Sequence, residues 1–283
     1  MKRVIVCDSG LGGLNVAAGF FAASPGGVAG EKCEVIYFNA YPEKGSGFNT
    51  LPDERSQEEL FRVILESMKK YSPDLCLIAC NTLSIVYDRL AKWYQPPFPV
   101  RGIVDAAVEA MAEKLAADPD DSLLILGTKT TVESGVYASA LADRGFAEKR
   151  IKSLACPGLA TLLESDPDAA EVAEKLSQYA VEVAEKFPDI RGKLYLAFCC
   201  THFAFARDLW IEKFSRHFPD GVGVIDPNQV LVDKCGFQAG KFSYLSRIDF
   251  FPGARENMSR YFSVPAPAIS EALLQAAADP GLF

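Results

Sequence analysis

Short apolar runs alternate along the chain with longer segments whose apolar residues recur every three or four positions. The runs predict strands and the periodic segments predict helices. In order, strands are expected at 3–7 and 34–38, a helix over about 53–71, a strand at 75–79 and a helix over about 84–93. Asp53 is a cap candidate for the first of these helices, and Leu60, Val63, Ile64 and Met68 form its expected buried stripe. The cluster Pro96-Pro97-Phe98-Pro99 then stops regular structure. Beyond it come a short strand at 100–104, a helix at 106–117, a strand at 123–126 and a helix at 132–143 with Gly135 as its internal weakness. A strand at 151–155, a helix at 169–186, a strand at 194–199, a helix at 203–217 and a strand at 222–225 follow. Residues 39–52 read as a glycine-rich loop, and 264–283 as a turn plus an alanine-rich helix. This alternation predicts an α/β fold with mainly parallel sheets flanked by helices.

Composition narrows the classes of function. The 283 residues suffice for one large domain or two ordinary ones, and 49% hydrophobic content supplies full cores. A formal net charge of -8 without a dense Lys/Arg cluster argues against a nucleic-acid surface. The most apolar stretches are of strand length and are broken by Asp, Gly or Asn, which argues against a membrane span. The opening Met1 to Asp8 lacks a continuous apolar signal region, so Val4–Cys7 reads as the first buried strand of a cytoplasmic protein. Of eight cysteines, most sit in or at the ends of core strands and behave as small hydrophobes rather than as a disulfide framework. With two histidines and no C-x-x-C pair, a zinc site would need scattered, unusual ligands.

Several strands end in compact polar groups: Asp8-Ser9, Cys80-Asn81-Thr82, Gly127-Thr128, Cys200-Thr201-His202 and Asp226. One such ending is routine, because strand-to-helix turns need cap residues; five point to a shared pocket at the carboxyl edges of sheets, where open α/β folds bind small ligands. Two of the endings deliver thiols, Cys80 and Cys200. Cys199 should point to the opposite face by strand alternation and is assigned to packing. Two thiols facing one substrate from opposite sides can remove a proton from one face of a carbon and return one to the other. Thiols suit that work because their free pKa lies near 8.5 and a protein can lower it. Asn81, Thr82, Thr128, Thr131 and Thr201 are compact donors fit to hold a substrate carboxylate. Asp8 can cap a helix, orient a thiol or accept a proton, and His202 can pack or relay a proton from Cys200. The loop Asp8-Ser9-Gly10-Leu11-Gly12-Gly13-Leu14 is neither a Walker loop nor a complete G-x-G-x-x-G, since Asn15 occupies the last glycine position. Thiol hydrolysis with Cys200 as nucleophile is a rival reading, but no nucleophile-elbow motif supports it.

Five ordered blocks carry a resemblance to a known family. They are Cys7 to Leu14; Ala79-Cys80-Asn81-Thr82; Gly127-Thr128-Lys129-Thr130-Thr131-Val132-Glu133-Ser134; Cys156-Pro157 with Glu164; and Cys200-Thr201-His202. On these blocks the chain resembles the cofactor-independent racemases of the aspartate/glutamate racemase family, closest to the glutamate racemases. The resemblance implies two similar α/β domains, 1–99 completed by 215–283 and 100–214, with the active site in the cleft between them. It implies Cys80 and Cys200 as opposed acid/base thiols, Asp8 assisting the first, and His202 with Glu164 assisting the second. Ser9, Asn81, Thr82, Thr128, Thr131 and Thr201 resemble the residues that bind substrate carboxylate and amino groups. The implied partner is a small acidic amino acid, with a homodimer as a further expectation, and neither a cofactor nor a metal is implied. The resemblance further implies a product, D-glutamate, destined for peptidoglycan and cell-wall synthesis.

Two departures from the family pattern bear on substrate. Where glutamate racemases carry Pro-Tyr-Gly after the second strand, this chain has Gly45-Ser46-Gly47 within a longer loop, which leaves Ser46 as a candidate for the distal carboxylate. The second thiol motif continues Phe203-Ala204 instead of Tyr-Pro. Glutamate racemisation is the leading expectation. Racemisation of aspartate or another amino acid, and silent amino-acid binding or regulation, stand as alternatives.

Overall fold

The computed structural model describes residues 1–22 and 30–283. The chain forms two compact units, Met1–Ile103 with Asn228–Phe283, and Val104–Pro227. The first unit opens with β1 (Lys2–Asp8), α1 (Leu14–Gly19), β2 (Glu31–Asn39), α2 (Glu54–Met68), β3 (Leu75–Ile78), α3 (Asn81–Leu90) and β4 (Val100–Gly102). The Asp53 cap is confirmed: its side chain accepts the Ser56 N–H at 2.7 Å. The buried stripe of α2 lies one step round from the expected one, on Phe61, Ile64, Leu65 and Met68, and Val63 is 41% exposed. α3 begins at Asn81 rather than 84, because Cys80 itself caps it.

The second unit contains α4 (Val104–Ala117), β5 (Ser122–Gly127), α5 (Lys129–Glu133), α6 (Val136–Asp143), β6 (Ile151–Ala155) and α7 (Leu159–Ser165). It continues through α8 (Ala170–Lys186), β7 (Leu194–Cys199), α9 (Arg207–Ser215) and β8 (Val222–Ile225). The expected helix at 132–143 is two helices broken at Gly135, whose φ of 65° is a left-handed conformation that glycine adopts without strain. The expected helix at 203–217 starts instead as a 3-10 turn over Thr201–Ala206 before α9. After α10 (Pro227–Asp233), the chain completes the first unit with β9 (Phe237–Ser246), α11 (Ala254–Phe262) and α12 (Pro267–Gln275).

The first sheet has the order β4-β3-β1-β2-β9 and the second β6-β5-β7-β8, with every pairing parallel. All-parallel strands need cover on both faces, which explains why β3 and β5 are buried along their whole length. One apolar core gathers Ile5, Phe38, Phe61, Ile78, Leu83 and Leu282 in the first unit. Another gathers Leu124, Leu163, Leu176, Phe198 and Trp210 in the second. Parallel pairing also brings the carboxyl ends of neighbouring strands to one edge, so the polar residues after β1 and β3 share an edge, as do those after β5 and β7. Among the described residues no helix is long and apolar enough to cross a membrane.

Candidate active site

At the edge of the first sheet, β1 ends in Asp8, whose side chain is buried. The following loop turns tightly, with the Leu14 N–H donating to Leu11 O and the Asn15 N–H to Gly12 O, each at 3.1 Å. Gly13 lies directly on Asp8: a Cβ there would stand 2.7 Å from Asp8 Cβ and 2.9 Å from Oδ2. Cys80 follows β3 and caps α3 with its sulfur, which accepts the Leu83 N–H at 3.5 Å. Ser9 Oγ meets the same sulfur at 3.1 Å. Asn81 and Thr82, the first residues of α3, are both buried. The structure thus joins Ser9 to Cys80 directly and places Asp8, Asn81 and Thr82 on the strand and helix ends beside them.

The cysteines beneath have a different character. Burial pushes the Cys76 thiol up to about 12 and raises Cys7 well above the usual thiol value. Both lie inside β1 and β3 with no exposed surface, where they are neutral packing groups.

At the edge of the second sheet, β5 and β7 pair with Gly127 opposite Cys199. The next residues, Thr128 and Cys200, therefore leave the sheet side by side. Thr128 caps α5 by accepting the Thr131 N–H at 3.3 Å, and its hydroxyl donates to Thr131 Oγ1 at 3.0 Å. Gly127 leaves room for that turn: a Cβ would stand 3.1 Å from Thr131 Cγ2 and 3.2 Å from Cys199 O. Cys200 lies in extended backbone ahead of the turn that holds Thr201 and His202. His202 Nδ1 lies 3.8 Å from Cys200 Sγ, and Nε2 lies 2.8 Å from Glu164 Oε2 on α7. Glu164, His202, Cys200 and Thr201 are all buried.

Burial alone would disfavour the charged imidazolium of His202. The contacts with Cys200 and Glu164 outweigh it and raise the pKa well above the usual histidine value. The three groups form a contiguous thiol–imidazole–carboxylate chain of contacts. Cys199 meanwhile is fully buried at the end of β7; burial raises its thiol, and a hydrogen bond with Tyr137 opposes the rise.

Ser46 belongs to the loop between β2 and α2. It lies in a turn where its N–H donates to Glu43 O at 2.9 Å, and its hydroxyl meets Thr50 Oγ1 at 3.5 Å on an exposed loop. Sequence reasoning placed Gly13 in the first loop without showing how closely it presses on Asp8, and it passed over Tyr37, which is fully buried in β2 and donates its hydroxyl to Gly10 O at 2.7 Å. The available signal for Tyr37 was a polar tip inside an otherwise apolar strand, since a buried phenol seeks a partner.

The family model described as Asp/Glu/Hydantoin racemase matches residues 27–235. A glutamate racemase from Aquifex aeolicus is 27% identical over 232 residues, which cover 80% of this chain and 79% of that protein. One from Campylobacter jejuni is 26% identical over 234 residues, covering 82% and 83%. The crystal structure of a Campylobacter jejuni glutamate racemase shares the fold, with a TM-score of 0.68 at 23% identity, covering 93% of this chain and 97% of that one. That of a Bacillus anthracis isoform gives a TM-score of 0.70 at 19% identity, covering 93% and 92%.

Proposed function

The chain belongs to the Asp/Glu/Hydantoin racemase family, and on that premise we propose that it is a glutamate racemase working by two-thiol proton transfer. The observation that carries this reading is the presence of two strand-end thiols, each with its own proton-handling neighbours: Ser9 at 3.1 Å from Cys80, and the His202–Glu164 pair beside Cys200. In the forward step one thiolate takes the proton from Cα, leaving the electron pair delocalised onto the substrate carboxylate. The other thiol then donates its proton to the opposite face. Reversal exchanges the two roles.

Each thiol needs help to reach the anionic form. At Cys80 the Leu83 amide donates to sulfur, the Ser9 hydroxyl in contact with it can donate to the thiolate once that forms, and the N-terminus of α3 favours negative charge there. At Cys200 the imidazolium of His202, held by Glu164, supplies a compensating positive charge. Asn81, Thr82, Thr128, Thr131 and Thr201 supply donors for the substrate carboxylate as charge builds on it. The reaction so written calls on no cofactor or metal. Its product, D-glutamate, would feed peptidoglycan synthesis in a cytoplasmic setting.

The test is Cα-proton exchange in D₂O, followed by NMR and chiral separation, with both enantiomers of glutamate and of aspartate. Exchange with inversion on glutamate is the expected result. Inversion confined to aspartate would keep the chemistry and move the substrate. No exchange on either pair would overturn the reading in favour of silent binding.

A further inference from the structure

β2 grips the loop that carries Ser9 at two points. The Ala40 N–H, just past the end of β2, donates to Asp8 O at 2.7 Å, and the Tyr37 hydroxyl donates to Gly10 O at 2.7 Å. Ser9 lies between these two anchored carbonyls, and its Oγ touches Cys80 Sγ. The Tyr37 ring is itself fixed in place, being fully buried and stacked on Tyr244 with centroids 5.7 Å apart and planes 9° apart. Gly10 is also buried, so its carbonyl has little access to water should the phenol be lost.

We infer that Tyr37 is a positioning residue for the first thiol, acting through the Gly10 carbonyl to hold the Ser9 hydroxyl on Cys80. The inference rests on the reading of Cys80 as an acid/base thiol, and it deepens that reading by naming what fixes the thiol's hydrogen-bond donor. Loss of the phenol hydroxyl removes the anchor on the Gly10 carbonyl while leaving the ring stack in place. The Ser9 donor then no longer holds the sulfur in a fixed geometry, and the thiolate loses stabilisation.

The test compares Tyr37→Phe with wild type and with Tyr94→Phe, which removes a phenol hydrogen bond to Glu66 elsewhere in the same unit. Alkylation by iodoacetamide is followed at Cys80 and Cys200 across pH by peptide mass spectrometry. In Tyr37→Phe the Cys80 profile is expected to move to higher pH, with alkylation near neutrality slowed roughly tenfold, the scale of one lost buried hydrogen bond. Cys200 should follow wild type, and Tyr94→Phe should leave both thiols unmoved. Ser9→Ala should reproduce the Cys80 shift, and adding Tyr37→Phe to it should slow Cys80 no further, because both changes cut the same chain of contacts. An unmoved Cys80 profile in Tyr37→Phe, or additive effects in the double variant, overturns the inference. A Cys80 shift in a protein that exchanges no Cα proton would sink the racemase reading and leave the positioning role standing.

Discussion

At the scale of single residues, the two candidate thiols are equipped unequally, and their variants should reveal it. Cys80→Ala and Cys200→Ala should each abolish racemisation, yet each should still exchange the Cα proton of one enantiomer, because one base remains. Proton NMR in D₂O with each pure enantiomer checks this, and near-normal racemisation by either variant would rule out the two-thiol account. The His202–Glu164 pair adds a pH signature. His202 binds its proton more tightly in the folded chain than in the unfolded one. The stability this contributes is therefore complete below the unfolded value of about 6.5 and is lost as pH rises through the raised folded value. Glu164→Gln should cost about 1–3 kcal/mol near pH 6, the worth of a charged buried hydrogen bond, with the deficit shrinking at alkaline pH. Urea midpoints of both proteins over a pH series decide it, and a deficit constant with pH would contradict the assignment. The thiols were legible because each sits directly at a strand's polar end, ahead of Asn81-Thr82 and Thr201-His202, whereas Cys76 lies inside an apolar run and Cys7 is the last apolar residue before Asp8-Ser9. The pairing of His202 with Glu164, 38 positions apart, was not. It depends on α7, a helix too short to leave a periodic signal, and came only from resemblance.

At the scale of elements, the turn from β1 to α1 is set by how closely glycine lets the backbone approach Asp8. Gly13→Ala would bring a Cβ to within 2.7–3.0 Å of three Asp8 side-chain atoms, so the carboxylate or the loop must move. A displacement of this order beside the candidate thiol Cys80 is expected to lower kcat by about two orders of magnitude. Circular dichroism should show the same secondary structure, and unchanged turnover would show that Asp8 needs no fixed position. Strands buried on both faces were easy to read, as β3 and β5 illustrate. β9 escaped for two physical reasons. It is an edge strand, half-exposed along much of its length, so its apolar signal is diluted. Its pairing also slips at Gly240, with Cys33 opposite Ala239 and Glu34 opposite Lys241. That irregularity switches which residues face inward and erases the alternation a strand would otherwise show.

At the scale of the whole molecule, the first unit is built from both ends of the chain. β9 pairs along β2, and Leu282 lies in the same apolar core as Ile5, Phe38 and Met68. Resemblance, not local pattern, predicted that the C-terminal part returns to the first domain, because no short-range signal tells a strand which distant partner it will meet. Leu282→Ala removes a side chain that is 1% exposed and should destabilise the first unit by about 2–5 kcal/mol, the usual cost of such a cavity. The two tryptophans make this measurable unit by unit, since Trp93 belongs to the first and Trp210 to the second. In single-tryptophan versions, urea unfolding followed at Trp93 should shift to lower denaturant while unfolding followed at Trp210 holds its midpoint. A common shift at both would mean that the units unfold as one cooperative body. No shift at either would mean that Leu282 contributes nothing to the core. With the first unit weakened alone, loss of exchange should track the Trp93 transition, because Cys80, Ser9 and Asp8 all depend on the sheet that the C-terminal segment completes.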